Sequence, residues 1–398
     1  MTTDAALQVV INAQLLSFGK SYRNAGVSRY IATLLEALST VPAEAQQHYV
    51  AYVGPQEYTA ATESKFYRSS LMDVQQGDWN TSRAASRIVW EQIVLPNRLR
   101  AGRCNVFHGP VNVLPNLVPC ASVVTVHDLA FARYPQYFKP ANRIYQSLMA
   151  KHSAHKADLV VAVSESTKQD LVRFFSVPEE KVRVVYPAID DDYRPVDDVA
   201  LVHNFRSSHG LPDRYLLYLG TLEPRKNLLT LVEAFAHLRA RDDDVPQLVI
   251  AGAKGWYFDS LIERVRALGL SQHVTFTGYV SRDEQRLWYA GAELFIYPSV
   301  FEGFGLPVAE ALACGTPVIT SNLSSLPEAG GPVARQVNPT NALELSAAIA
   351  EMLDQAGIRA QAHVEGPRWT AKFSRANLAR EYVSVYAEAA ARWRSSRT

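Results

Sequence analysis

Short apolar runs alternate along the chain with longer segments in which apolar residues recur at helical spacing. The run Leu7–Asn12 predicts a buried strand, and the segment Gly26–Leu38 that follows it predicts a helix. Further runs in the first half of the chain predict strands at Val123–Val126, Leu159–Val163 and Val182–Tyr186. Strands joined through helices form parallel sheets whose faces those helices cover, so the first half predicts one α/β domain.

The same alternation begins again in the second half of the chain. Strands are predicted at Tyr215–Leu219, Gln247–Ala251, Val274–Thr277 and Leu294–Tyr297. Asn227 is placed to cap the next helix, and Ser281 with Glu284 matches a capping box. The fold class predicted from this repetition is α/β, with two Rossmann-like doubly wound domains that face a cleft.

Between the two halves, residues 187–212 are rich in aspartate and include proline and glycine, which predicts an interdomain linker. The predicted domains are residues 1–195 and residues 210–374, followed by an amphipathic helix within 375–398. The run Asp190–Asp192 favours a solvated cluster of charges over a metal site, and so does Asp242–Asp244 at a predicted solvent turn.

Composition and charge narrow the range of possible functions. The chain has 398 residues, 48% of them hydrophobic, and a formal net charge of +1, which gives no global attraction to nucleic acid. A local patch would still permit a weak peripheral contact with a membrane. Cys104, Cys120 and Cys314 match neither a disulfide framework nor a zinc-site spacing. Since no secretion signal and no membrane-spanning run is visible, we expect a cytoplasmic enzyme, free or peripheral to the inner membrane face.

The densest motif is the run from Phe301 to Gly315, which follows the last predicted strand. Its glycines predict a loop over Gly303–Leu306, and Pro307 and Gly315 are placed to begin and end a short helix. The free backbone N–H groups at such a helix start, together with the helix dipole, favour binding of an anion.

This motif carries two acids, Glu302 in the loop and Glu310 near the helix start. A carboxylate behind an anion site suits ribose hydroxyls, which points to Glu310, while Glu302 is placed to contact a transferred sugar. The alternative is a capped surface helix with two solvated acids. The positions of glycine and proline favour the ligand site.

A second motif, Gly220–Asn227, joins a strand end to a helix start. It places Arg225 and Lys226 at the carboxyl edge of the sheet. Alone, this pair would indicate a solvated turn. Beside the first motif it predicts a clamp for a diphosphate, because Arg holds phosphate oxygens in a fork and Lys adds a point charge.

Together, the runs FEGFGLPVAEALACGTPVI and GTLEPRKN resemble the retaining glycosyltransferases of family 4, which have the GT-B fold. The resemblance implies that Arg225 and Lys226 hold the donor diphosphate, that Glu310 holds the ribose, and that Glu302 meets the donor sugar. It also implies that Val280 lies at the base and that the final helix crosses back to the first domain. Further donor contacts are implied for Gly303, Phe304, Gly305 and Leu306.

The first domain resembles the family more loosely. His127 ends a predicted strand, as does the family's histidine that reaches the donor sugar, although strand-end histidines are also common structural residues. Gly26 lies in a run that resembles the family's glycine loop, from which Ala25 and Ser28 depart. Ser166 is predicted to cap the helix after Leu159–Val163.

The run Arg87–Gln92, followed by Leu95 and Pro96, resembles members that use GDP-mannose and build surface polysaccharides. The alternative is an amphipathic helix with a core tryptophan.

The resemblance implies retaining transfer of a hexose, with GDP-mannose as the expected donor, to a glycan or a lipid-linked acceptor. No cofactor and no metal ion are expected, because Arg225, Lys226 and helix N-termini can stabilise the leaving diphosphate. The alternatives are a nucleotide-sugar epimerase of the same fold, a glycan phosphorylase and a non-catalytic nucleotide-sugar-binding protein. The intact set of candidate site residues favours transfer.

Overall fold

The computed structural model of this chain describes residues 6–397, apart from 20–24, 43–44, 79, 82, 139, 254 and 256–257. The chain forms two compact units. The first comprises the residues up to Ala188 together with those from Phe373 onward, and the second comprises Ile189–Lys372. Both are α/β units built on a parallel sheet, as the sequence predicts.

Within the described residues, the sheet of the first unit has seven parallel strands in the order β3-β2-β1-β4-β5-β6-β7. The strands are β1 (Leu7–Ala13), β2 (Gln47–Val53), β3 (Met72–Gln76), β4 (Val106–Gly109), β5 (Ala121–Val126), β6 (Leu159–Ala162) and β7 (Val182–Val184). The helices before the second unit are α1 (Ala25–Leu38), α2 (Tyr58–Thr62), α3 (Ala84–Val89), α4 (Leu95–Ala101), α5 (Ala130–Arg133), α6 (Pro140–Lys156) and α7 (Glu165–Phe175). All six residues of β5 are buried, because helices cover both faces of the sheet.

The described part of the second unit contains a six-stranded parallel sheet in the order β10-β9-β8-β11-β12-β13. The strands are β8 (Tyr215–Leu219), β9 (Gln247–Ala251), β10 (Val274–Gly278), β11 (Leu294–Tyr297), β12 (Val318–Ser321) and β13 (Arg335–Val337). The helices are α8 (Val199–Ser208), α9 (Leu228–Arg239), α10 (Phe258–Ala267), α11 (Arg282–Gly291), α12 (Leu306–Ala313), α13 (Leu326–Gly330), α14 (Ala342–Asp354) and α15 (Ile358–Thr370). The strand order reverses between β8 and β11, and ligands of doubly wound sheets bind at such reversals.

The last helix of the chain, α16 (Arg375–Ser395), packs on the first unit against α1 and β5. It buries Tyr382 and Tyr386 completely. The imidazole of His108 on β4 is 2.8 Å from the hydroxyl of Tyr386 and 2.8 Å from that of Thr125. The Thr125 hydroxyl is 2.7 Å from that of Tyr382, which in turn bonds the hydroxyl of Tyr30 on α1. A buried chain of hydrogen bonds thus joins the final helix to the sheet.

The predicted linker is wrong over part of its length. Residues 199–208 form helix α8, whose first turn is capped by Asp198 through the backbone N–H of Leu201, at 2.9 Å. The predicted linker residues from Ile189 onward belong to the second unit, which extends to Lys372. Asp190 forms an ion pair with Arg282, so it is not a solvated charge, whereas Asp191 and Asp192 are exposed.

The predicted caps also need correction. Ser164, not Ser166, caps α7, because its hydroxyl accepts the N–H of Thr167 at 3.0 Å. Asn227 precedes α9 with a left-handed φ of 60°, but its side chain caps no backbone N–H. It donates to the carbonyls of Pro298 and Pro339 instead, tying the loop after β8 to later loops.

The capping box at Ser281 is also incomplete. The Ser281 hydroxyl donates to the carboxylate of Glu284, at 2.8 Å, and caps no backbone N–H of α11. The two side chains are therefore paired with each other at the helix start.

Candidate active site

The two motifs follow neighbouring strands at the point where the strand order of the second unit reverses. Arg225 and Lys226 lie on a 3₁₀ turn, Pro224–Lys226, after β8, and Glu302 follows β11. The loops are also tied through their backbones, because the N–H of Val300 donates to the carbonyl of Arg225 at 2.9 Å. Residues that are distant in sequence therefore meet at one edge of the sheet.

Glu302 is the centre of this cluster and is 7% exposed. Its Oε1 atom accepts hydrogen bonds from Lys226 Nζ at 2.5 Å and from Ser299 Oγ at 2.7 Å. The hydroxyl of Tyr297 also donates to Oε1, at 3.1 Å, while Arg225 Nη1 donates to Oε2 at 2.6 Å. Both carboxylate oxygens are thus held by donors.

The electrostatics keep this cluster charged. Burial alone would raise the pKa of Glu302, but the charges of Arg225 and Lys226 outweigh it and lower the pKa to about 2. Burial and the charge of Arg225 lower the pKa of Lys226. Arg225 also pairs with Glu223 at 3.0 Å, so the two cations are matched by two carboxylates. The sequence did not reveal the pairing of Glu302 with these two cations.

The loop into α12 has the predicted form. Gly305 precedes the helix with φ +104°, a left-handed conformation that favours glycine, and a Cβ there would lie 2.7 Å from Leu326. The helix begins at Leu306, with Pro307 in its first turn, and Gly315 follows its end with φ +73°. Phe304 is buried, so in this structure its side chain packs inside the unit.

Glu310 lies on α12 and is only 1% exposed. The hydroxyl of Tyr289 donates to its Oε2 atom at 3.1 Å. Both acids of the motif are therefore buried, and the alternative of two solvated surface acids is wrong. The role of Glu310 towards a ribose stays a prediction.

The loops after β9 and β10 complete this edge, and the sequence reasoning missed the first of them. A Cβ on Gly252 would lie 1.9 Å from the carbonyl oxygen of Gly220, so glycine is required where these two loops touch. The N–H of Gly252 donates to the carbonyl of Gly278 at 2.7 Å. Val280 is buried two residues further on. The available signal was a glycine directly after the apolar strand Gln247–Ala251.

In the first unit, His127 follows β5 and is held at two points. Its Nε2 atom is 2.7 Å from the carbonyl oxygen of Pro110, so Nε2 carries the proton. Its backbone N–H donates to Asn112 Oδ1 at 3.0 Å. The ring of Tyr30 packs edge-on against the imidazole, with centroids 4.6 Å apart. Burial lowers the pKa of His127, which favours the neutral ring, with Nδ1 as a hydrogen-bond acceptor.

The other first-unit candidates are placed differently. Gly26 lies in the first turn of α1 and is exposed, and a Cβ added there would meet open space, while Asn24 at the start of its run lies outside the described residues. The run Arg87–Gln92 spans α3 and a π-helical segment, Trp90–Val94. Trp90 is fully buried, so the core-tryptophan interpretation holds for that residue.

Among the described residues, no three His, Cys, Asp or Glu side chains are grouped so that they could hold a metal ion. No helix in the described ranges is both long and apolar enough to cross a membrane.

The comparison with solved structures identifies the fold. HepE of Anabaena, in complex with UDP and glucose, matches with a TM-score of 0.70 over 96% of this chain and 99% of that protein. The sequences are 15% identical, so this likeness concerns the fold alone. The fold is that of the GT-B glycosyltransferases.

The family follows from the sequence relatives. Residues 24–193 match Glycosyltransferase Family 4, and residues 203–369 match Glycosyl transferases group 1. The chain is 31% identical to O-antigen chain mannosyltransferase B of Escherichia coli over 289 residues, 72% of this chain and 75% of that protein. It is 27% identical to mannosyltransferase WbdA of Escherichia coli, but spans only 34% of that longer relative. The chain belongs to the family-4 glycosyltransferases.

Proposed function

We propose that this glycosyltransferase moves mannose from GDP-mannose to a glycan or a lipid-linked acceptor, with retention at the anomeric carbon and without a metal ion. The choice of sugar is supported by relatives whose names identify them as mannosyltransferases. The observation that carries the proposal is the contact of the part-buried Arg225 and the buried Lys226 with Glu302 at the carboxyl edge of the second sheet.

Arg225 and Lys226 supply the positive charge that stabilises the leaving diphosphate. Cleavage of the bond between the anomeric carbon and the phosphate oxygen leaves negative charge on GDP. Glu302 holds Arg225 and Lys226 in place before the donor arrives, and the diphosphate would replace Glu302 as their anionic partner. The N–H groups at the start of α12 add a positive partial charge.

Retention follows from attack on the same face of the sugar. The acceptor oxygen bonds to the anomeric carbon as the phosphate oxygen departs, and the acceptor proton passes to the departing phosphate. GDP leaves with the acceptor proton on its terminal phosphate, so the total charge is the same before and after transfer. The neutral Nδ1 of His127 would accept a hydrogen bond from a hydroxyl of the transferred sugar, and Glu310 would hold the ribose.

Donor binding tests the proposal directly. GDP-mannose and UDP-glucose are titrated into the protein by calorimetry with EDTA present. Binding of GDP-mannose under these conditions is the expected result. Binding that requires a divalent ion would overturn the metal-independent clamp, and preference for UDP-glucose would overturn the assignment of the donor.

A lipid-linked acceptor would bring this enzyme to the inner face of the membrane as a peripheral, cytoplasmic protein. Helix α6 supports this part of the proposal, because it exposes Ile144, Tyr145 and Leu148 close to Arg143 and Lys151. Apolar residues beside positive charges suit a surface of anionic lipids. Co-sedimentation with anionic vesicles is expected and should weaken in Leu148→Glu. Equal recovery of both proteins in the supernatant would contradict the membrane contact.

A further inference from the structure

Asn12 and Glu91 form a polar pair at the ligand-binding edge of the first unit. Asn12 lies near the carboxyl end of β1, where the strand order reverses between β1 and β4. Its Nδ2 atom donates to Glu91 Oε1 at 2.9 Å, and its Oδ1 atom accepts the N–H of Gln14 at 3.3 Å. The amide therefore has a fixed orientation and holds one oxygen of the carboxylate.

The backbone that carries Glu91 is unusual. Glu91 lies on the π-helical segment Trp90–Val94 between α3 and α4. Such π-helical turns are rare in proteins, and where they occur they often lie at functional sites. The buried indole of Trp90 anchors the segment, donating to Asp78 at 3.1 Å and packing against the ring of Tyr52. The wide turn thus presents Glu91 from a rigid support.

A second polar contact holds the following residue. Gln92 Oε1 accepts the N–H of Asn116 at 2.8 Å, which ties the π-helical segment to the loop between β4 and β5. His127 is held by that same loop, through Pro110 and Asn112. The support of Glu91 and that of His127 are therefore parts of one connected edge.

The chemistry around Glu91 suits a neutral, hydroxyl-rich ligand. Its Oε2 atom has no hydrogen-bond partner among the residues that the structure describes. Burial raises the pKa of Glu91, and a half-buried carboxyl group gains from a hydroxyl donor. Tyr145, which is 45% exposed, lies close enough for the charge of Glu91 to act on its hydroxyl. Its ring offers an apolar face to a pyranose.

We infer that Glu91, positioned by Asn12, binds a hydroxyl group of a carbohydrate acceptor, with Tyr145 stacking on the sugar ring. This inference rests on the proposed glycosyl transfer and names residues for its acceptor side. Glu91 accepts the hydroxyl hydrogen at Oε2, and Asn12 keeps Oε1 engaged so that the carboxylate does not turn away.

The test separates acceptor binding from donor chemistry. Saturation-transfer NMR with an α-linked mannobiose is recorded for the wild-type protein, Glu91→Gln and Asn12→Ala, each loaded with GDP. The wild type should show transfer to the sugar, and both variants should lose most of it. The Michaelis constant for mannobiose should rise about tenfold or more, as expected for a lost hydrogen bond to a charged group. The Michaelis constant for GDP-mannose should not change.

Glu36→Gln is the matched control, because Glu36 is a half-buried carboxylate of the same unit, paired with Arg375 at 2.9 Å. Thermal unfolding shows whether each variant is folded. If Glu91→Gln does not fold, Asn12→Ala still tests the acceptor site. Absence of mannobiose binding by the wild type, or an unchanged Michaelis constant for it in both variants, would overturn the acceptor site. Hydrolysis of GDP-mannose without acceptor reports on the proposed function separately and should be equal in all four proteins.

Discussion

Glu302 Oε1 lies 2.5 Å from Lys226 Nζ, and both side chains are almost completely buried. A buried ion pair contributes little net stability, but removing one partner leaves an uncompensated charge. The pair therefore fixes a cation at the carboxyl edge of the second sheet. In the proposed function the same carboxylate couples the stability of the site to donor binding.

Replacing both cations should abolish donor binding. We expect Arg225→Ala/Lys226→Ala to weaken GDP binding about 100-fold or more, since two charge-assisted hydrogen bonds are lost. The double variant should also unfold at a lower temperature, because the buried charge of Glu302 is no longer balanced by a cation. Calorimetry with GDP and a thermal unfolding scan measure the two effects.

A triple variant separates binding from stability. Adding Glu302→Gln to the double variant removes the stranded charge, so thermal stability should recover while GDP binding should not. Arg214→Ala is the matched control, because Arg214 precedes β8 at the opposite end of the strand and pairs with Glu293 and Asp244. Wild-type GDP affinity in the double variant would contradict the clamp.

The acid stability of the second unit should depend on Glu302. Its pKa is about 2 in the folded chain against an ordinary value of 4.5. Its contribution is therefore present above pH 4.5 and is lost as the pH falls from 4.5 towards 2, by on the order of 3 kcal/mol. The unfolding free energy of the wild type should fall more steeply in this window than that of Glu302→Gln. If the unfolding free energies of the wild type and Glu302→Gln fell in parallel with pH, the ionised pair would be refuted. The surface variant Glu179→Gln serves as the control.

The sequence predicts the fold best where strands are buried on both faces. Tyr215–Leu219, Gln247–Ala251 and Leu294–Tyr297 have the predicted bounds, because such strands are apolar throughout. Strands β2, β3, β4, β12 and β13 were missed. Of these, β2 contains His48 and β4 contains His108, whose polar ring is accommodated by Thr125 and Tyr386 from other parts of the chain.

In the candidate site, too, the sequence predicts the positions of single residues but not the contacts between distant ones. Local motifs place Arg225, Lys226 and Glu302 at one sheet edge, because the strand-end position follows from local pattern. Their mutual pairing depends on β8 lying beside β11, and no local pattern predicts this contact between Lys226 and Glu302, which are 76 residues apart. Asn112 was missed for a similar reason, since its role is visible only through its bond to the backbone of His127.

His127 should act on the sugar and not on the nucleotide. We expect His127→Ala to lower kcat/KM for GDP-mannose about 10- to 100-fold and to leave GDP affinity unchanged. Because burial lowers its pKa below the ordinary 6.5, the ring should still be mostly neutral at pH 6.5. Activity should therefore decline less between pH 7.5 and 6.5 than it would with a histidine of ordinary pKa in this position. Equal losses of GDP and GDP-mannose affinity would contradict the assignment.

Asn112 tests how His127 is positioned. Asn112 has φ +48°, so Asn112→Gly keeps the backbone conformation while removing the amide that accepts the His127 N–H. We expect a smaller loss of kcat than in His127→Ala, with GDP affinity preserved. An unchanged kcat would show that the Pro110 carbonyl is sufficient to hold the ring.

His108 should make the attachment of α16 to the sheet depend on pH, because its neutral ring lies at the centre of the hydrogen-bond chain between them. Burial, with the charge of His127 as a second cause, lowers its pKa from 6.5 to about 3. The unfolded chain takes up a proton below pH 6.5 that the folded chain refuses, so stability should fall as the pH drops from 6.5 towards 3. Between pH 6.5 and 5.0 this amounts to about 2 kcal/mol. Hydrogen exchange at the amides of β4 and α16 measures this loss of stability.

His108→Asn should show a shallower pH dependence and, at pH 7.5, a lower stability, because the hydroxyls of Thr125 and Tyr386 lose their partner. The exposed His152→Asn should behave like the wild type. Equal slopes for His108→Asn and the wild type would mean that His108 is not the group whose protonation loosens the final helix.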